Sequence, residues 1–339
     1  MPLYKGATEI ASGKLYKGTT EIDKLYKGTS LLYQNQIPFN SHFLIVGGGG
    51  GGGRVWNVST DEDDYDVWLK GGGGGGGGVR TSFSGATPVT NGGGQALDSQ
   101  LALTTATEYS IVVGDGGNEY QLGGNSSIGS LITVGGGGSN YNSRNVISSI
   151  TVPTNGGGGD GSSRGYSADY NQPYPGSIEY APLGNTNGPS GNYGFDGGPG
   201  YPPGLQSNNN RYLYASSVGH GGGGAGSAAS GTTPGSGITS SITGSSITFG
   251  AGGSPNNNLA SGVVANQTQI GRGGTGGVSA NIYYNANHRS GGKGGPGSVI
   301  IRFPNTRNYT ATGSPTLTTD GSDKILQWTT AGTYTITFT

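Results

Sequence analysis

The 339 residues carry 17 basic and 18 acidic side chains, a net charge of −1, so the chain lacks the electrostatic footprint that nucleic acid or an anionic membrane demands. Cysteine is absent, which excludes a disulfide framework, a thiol nucleophile and a thiolate zinc site. With 75 glycines and 16 prolines, a little over a quarter of the chain is Gly or Pro, the range of low-complexity chains. Ordering a residue costs roughly 1–2 kcal/mol, and glycine loses the most. The apolar residues, 30% of the chain, come in short islands such as "HFLIV", "YSIVVG" and "SVIIRF" and can offset only part of that cost. The remainder must come from backbone hydrogen bonds, because a glycine run still carries one donor and one acceptor per residue. The N-terminus shows no charged-then-apolar leader pattern and no apolar stretch approaches the roughly 20 residues of a membrane span, so membrane insertion is not expected.

Residues 1–36 repeat themselves: "LYKGATEI" from Leu3, "LYKGTTEI" from Leu15 and "LYKGTSLLY" from Leu25, at spacings of 12 and 10 residues. Apolar and polar positions alternate around a central Lys-Gly, which predicts a strand, a tight turn and a strand in each unit. Units this small bury no face alone and need stacked neighbours or other subunits. Residues 1–36 therefore read as an assembly or docking module, and a homotrimer is the expected homo-oligomer.

Residues 37–304 alternate two textures. Glycine blocks and β islands occupy 43–53, 71–79, 108–117, 130–138, 156–159, 221–226, 245–253 and 291–303. Polar, aromatic loops occupy 54–70, 139–149, 160–218, 254–269 and 278–290. Glycine blocks suit extended polyproline-II-like helices, which approach one another as closely as collagen strands do; eight residues from Gly71 would span about 25 Å. Collagen itself is excluded, since no strict Gly-X-Y period runs through the blocks. Rods packed on rods would close the backbone hydrogen bonds, and the loops would emerge at their ends.

Residues 305–339 read as a meander, "SPTLTTDG", "KILQWTTAG" and "TYTITFT", with an Asp320-Gly321 turn and strict alternation in the last strand. No stretch shows helical periodicity. The expected fold class is all-β with a polyglycine-II-like glycine-rich scaffold, short N-terminal β repeats, a C-terminal β meander and little or no helix.

The islands "FLIVGGGGGGG", "ATEYSIVVGDGG", "GGNSSIGSLITVGGGG", "GSSITFGAGG" and "SGGKGGPGSVIIRF", in this order, resemble the glycine-rich domain of bacteriophage tail-fibre and tail proteins. "LQWTTAGTYTITF" resembles the strand pair that often follows that domain, and the LYKG units resemble repeats at the virion end of some phage fibres. The resemblance runs from Leu3 to Phe338 and implies a virion protein, assembled in the host cytoplasm and often sited at a fibre tip. It further implies attachment to other virion proteins through residues 1–36 and loops that touch a host cell-surface receptor, a glycan or an outer-membrane protein. The 160–218 insertion has no counterpart in the family pattern.

In the 54–70 loop, Trp56, Asp61, Glu62, Asp63, Asp64, Tyr65, Asp66 and Trp68 fall together. Aromatic faces stack on sugar C–H surfaces while carboxylates accept hydroxyl hydrogen bonds, and Tyr and Trp give rigid contact area in protein recognition. Two of the three tryptophans lie here, which favours a binding loop over a solvated acidic one. The aspartates lack the glycine and distal glutamate of an EF-hand loop, so calcium is not expected, and no other cofactor is. In the insertion, Tyr170, Tyr174, Tyr193, Tyr201 and Tyr212 are the further candidate receptor contacts; the alternative is a miniature core beneath a long loop.

His42, His220 and His288 are dispersed and read as satisfied surface histidines. No GxGxxG match opens a helix after a strand, and "GGKGG" lacks the Ser or Thr of a P-loop, so phosphate binding is set aside. A glycan hydrolase needs paired carboxylates on rigid elements about 5–10 Å apart; the acids here cluster at 61–66 or stand singly, so no enzyme activity is expected. The reading is a tail-fibre or receptor-binding adhesin, with a passive structural fibre or decoration protein as the alternative.

Overall fold

The computed structural model describes residues 36–53, 72–119, 121–139, 193–194, 221–255, 268–276 and 291–339, together with the backbone of short strands between residues 3 and 34. Those strands form three separate hairpins: β1 (Leu3–Lys5) with β2 (Thr8–Ile10), β3 (Leu15–Lys17) with β4 (Thr20–Ile22), and β5 (Lys24–Lys27) with β6 (Ser30–Gln34). Leu3 pairs with Ile10 and Leu15 with Ile22 in identical register, so the repeat in sequence is a repeat in structure. The third hairpin shifts register between Leu25 and Tyr26.

Beyond them run β7 (Pro38–Val46), β8 (Val79–Thr81), β9 (Ala86–Thr87), β10 (Leu101–Thr104), β11 (Glu108–Val113), β12 (Ser126–Ile128) and β13 (Ile132–Val134). The remaining strands are β14 (Ile238–Ser240), β15 (Ile247–Phe249), β16 (Ser298–Pro304), β17 (Tyr309–Ala311), β18 (Thr316–Asp320), β19 (Asp323–Trp328) and β20 (Gly332–Phe338). Among the described residues the helical content is one 3-10 turn at Gly92–Gly94, and the fold is all-β, as the short apolar islands require.

The apolar runs "FLIV" of β7 and "SVII" of β16 lack polar alternation because both faces of these strands are covered. They sit at the centre of a sheet ordered β10-β7-β16-β19-β18, with β8 also paired to β7. Phe43, Ile45, Val299, Ile301, Phe303, Leu326 and Trp328 face a second sheet, ordered β13-β12-β11-β20-β17, which contributes Ile111, Ile128, Val134, Ile336 and Phe338. Leu44, Val46, Ile300 and Ile325 face the third, β15-β14-β9, with Ile238 and Phe249. The result is three layers with two cores. Edge-to-face contacts at 5.0 Å join Phe338 to both Phe39 and Phe303 in the larger core, and each fully buried side chain of this kind contributes roughly 1.5–3 kcal/mol. Trp328 is buried, and its Nε1–H is satisfied by the Thr312 carbonyl at 3.0 Å.

The last strand departs from the expected meander. β18 and β19 form the hairpin around Asp320-Gly321, but β20 leaves that sheet and pairs with β11 and β17 in the second layer. The physical reason lies in its inward residues: Ile336 and Phe338 complete the core between the two sheets, which a third strand beside β19 could not do. Residues 305–339 thus share both of these sheets with strands from 37–304.

Candidate recognition end of a glycine array

Residues 47–53 prolong β7 as an extended rod whose N–H groups turn through three neighbours in rotation. Gly47, Gly50 and Gly53 donate to Gly78, Gly75 and Gly72; Gly48 and Gly51 to Gly124 and Gln121; Gly49 and Gly52 to Gly295 and Gly292, all at 2.9–3.0 Å. An extended helix with three residues per turn and no internal hydrogen bonds points one N–H in each of three directions. The carbonyls serve three further segments: Gly48 accepts from Gly137, Gly49 from Gly117 and Gly50 from Gly274, at 2.7–2.8 Å. Rod 47–53 is therefore surrounded by six segments, 72–78, 114–117, 121–124, 135–138, 271–276 and 291–297.

The second long run repeats the pattern one step outward. Gly74 and Gly77 donate to Gly274 and Gly271, Gly75 and Gly78 to Gly138 and Gly135, and Gly76 to Gly223. Glycine is required here by close approach. At each position from Gly47 to Gly52 an added Cβ would collide with the backbone of a neighbouring segment; at Gly50 it would fall 2.5 Å from the Gly138 carbonyl carbon and 2.8 Å from the Gly137 oxygen.

One end of the array merges with the sheets, because Val46, Val79, Val113, Val134 and Ser298 each join a strand directly to a rod. At the other end Gly53 donates to Gly72, Gly52 to Gly292, and Gly276 to Ser254. Segments 54–71 and 277–290 thus leave and re-enter the array at the end far from the sheets. The described residues that flank the 140–220 stretch bond partway along the rods, on the side away from the sheets: Gly138 accepts from Gly75, while Gly222 bonds Gly253, which bonds Gly74.

Trp56, Asp61, Asp63, Tyr65, Asp66, Trp68, Tyr170, Tyr174, Tyr201 and Tyr212 lie outside the described residues. Tyr193 is described, and it is half-buried against the larger core, far along the chain from its neighbours there. Its ring lies under the Arg80 guanidinium at 4.8 Å. Arg80 donates Nη2 and Nε to the two oxygens of Asp98 at 2.6 and 3.1 Å and Nη1 to the Thr133 carbonyl at 3.3 Å. Asn91 locks the group from below: its Oδ1 accepts from the buried Thr81 N–H at 2.6 Å, and its Nδ2 donates to Asp98 at 3.0 Å. Arg80 stands in an ordinary strand alternation and Asp98 in an unpatterned loop, so nothing in the sequence marks them as partners.

His42 is satisfied at both ring nitrogens. Nδ1–H donates to the Ser82 carbonyl at 3.1 Å, which leaves Nε2 to accept from the Gln100 amide at 2.6 Å. Across the sheet from it, Arg302 donates to Asp323 and Asp320, each at 2.8 Å, with its own side chain only 12% exposed. Burial works against the charge of Arg302, but hydrogen bonds and the charges of Asp323 and Asp320 outweigh it and hold the pKa above the usual arginine value. On the rim of the array Lys293 pairs with Asp115 at 2.7 Å in an exposed setting worth about 0–1 kcal/mol.

No family model matches the chain, and no curated protein or solved structure matches it.

Proposed function

We propose that the protein is a bacteriophage virion component, a tail-fibre or receptor-binding adhesin that presents loops to a host surface receptor. The observation that supports this reading is the common end of the array: two segments, including the one with two of the chain's three tryptophans, begin and end where the rods stop. A rod such as 47–53, whose N–H groups are each engaged by a neighbouring segment, loses its freedom during folding, so loops mounted on it lose less on binding. The LYKG hairpins attach the protein to other virion proteins. Two-stranded hairpins are marginal alone in water, and the same argument supports homo-oligomerisation through residues 1–36.

The test is a pull-down of purified protein with candidate host cells, set beside a variant whose 54–70 loop is replaced by a short Gly-Ser linker. Binding by the intact protein that disappears in the folded variant is the expected result. Binding by neither, with incorporation into particles intact, overturns the adhesin reading in favour of a passive fibre or decoration protein.

A further inference from the structure

We infer that Tyr193 and Gly194 tether the 140–220 stretch to the sheet end of the molecule, dividing it into two loops, and that Tyr193 is a positioning residue for recognition at the far end of the array. The second part rests on the adhesin reading above; the first does not.

The tether is built from several independent contacts. The Tyr193 ring packs against the larger core and carries the Arg80 guanidinium on its face. Arg80 is itself immobilised by the Asp98 carboxylate and the Thr133 carbonyl, and Asp98 by Asn91, so the cation cannot swing away from the ring without breaking a chain of hydrogen bonds. The Tyr193 backbone is equally confined: a methyl at Gly92 would lie 2.7 Å from the Tyr193 carbonyl carbon, and Gly194 is buried. Gly92 is a close-approach glycine whose partner is this distant residue.

The position of the tether gives it a role. Residue 139 continues a rod away from the sheets, and Gly221 begins one on the same side, while Tyr193 lies beside β8 and Gly92. Ser139 and Gly221, the described residues that flank the stretch, thus lie away from the sheets, whereas Tyr193 is held at the sheet end. Two shorter loops with a fixed common point have less freedom to lose on engaging a receptor than one long loop. Tyr193, expected from the sequence to touch a receptor, acts instead through the loops on either side of it.

The experiment uses full-length Tyr193→Ala and Tyr193→Phe proteins. Three quantities are read: melting temperature, chymotryptic cleavage at Tyr166–Tyr180 and Tyr201–Tyr214 mapped by mass spectrometry, and adsorption to host cells. Expected for Tyr193→Ala is cleavage at these tyrosines about fivefold faster, the factor that losing ~1 kcal/mol of cation–π anchoring gives. Cleavage in 54–71 should stay unchanged and adsorption should weaken, with Tyr193→Phe restoring both. Unchanged cleavage in Tyr193→Ala overturns the tether, and weakened adsorption with unchanged cleavage makes Tyr193 a direct contact. Faster cleavage with undiminished adsorption overturns the positioning role. If the wild-type protein fails to adsorb, the adhesin reading falls, and the cleavage rates still decide the tether.

Discussion

Replacing Gly50 with alanine puts a methyl group into the carbonyl of Gly138, a backbone atom that no rotamer change can move. Gly50 sits at the middle of the central rod, so the collision can be relieved only by shifting segment 135–138 or 47–53. The bonds at stake are Gly75 N–H to Gly138 and Gly137 N–H to Gly48, both 2.8 Å long. A buried backbone group left unpaired costs about 1–3 kcal/mol, and restricting the unfolded chain returns about 0.4–1 kcal/mol. The net cost is about 3 kcal/mol, which at roughly 2–4 °C per kcal/mol lowers Tm by about 8 °C. Gly129→Ala is the control: Gly129 has φ +50° and nothing within 4 Å of an added Cβ, so only the left-handed backbone is penalised, about 1–2 kcal/mol. Thermal unfolding followed by circular dichroism reads both. A Gly50→Ala protein melting within about 2 °C of wild type, or no lower than Gly129→Ala, would refute the reasoning that close backbone approach dictates glycine here.

Arg302→Gln removes the partner of two carboxylates and should cost about 2 kcal/mol, less than a fully buried pair because Asp320 and Asp323 keep 48% and 27% exposure. Since the Arg302 pKa is raised in the folded state, its contribution is present at every pH below the unfolded arginine value and is lost only as pH rises through the folded one; stability curves across the neutral range should show no step assignable to it. Asn91→Ala leaves the buried Thr81 N–H without its acceptor and should lower stability by about 2 kcal/mol, with faster hydrogen exchange at Thr81 as the local readout. Trp56→Ala with Trp68→Ala should weaken host-cell adsorption without changing Tm; unchanged adsorption would remove the 54–70 loop from the proposed site. Deleting residues 1–36 should abolish incorporation into particles while leaving host-cell binding in place.

Much of the architecture was legible in the sequence, for reasons that can be named. Short islands without helical period dictate strands, and uninterrupted apolar runs such as "FLIV" and "SVII" dictate strands covered on both faces. The repeated Lys-Gly turns dictate hairpins, and Asp320-Gly321 dictates the one between β18 and β19. Glycine blocks dictate segments that must find backbone partners, since they have nothing else to offer. What only the tertiary structure decided is which partners they find. Runs of one residue type carry no pattern that could distinguish Gly72 from Gly124 or Gly292 as neighbours of the central rod, and those neighbours lie far apart along the chain. Strands whose side chains do specify register hold the rods at their sheet ends, and they set which donor meets which acceptor. The crossing of β20 to the second sheet, the Arg80–Asp98 pair and the seat of Tyr193 are likewise long-range. Each depends on which faces remain uncovered once the layers have packed, a quantity that no local stretch of the chain contains.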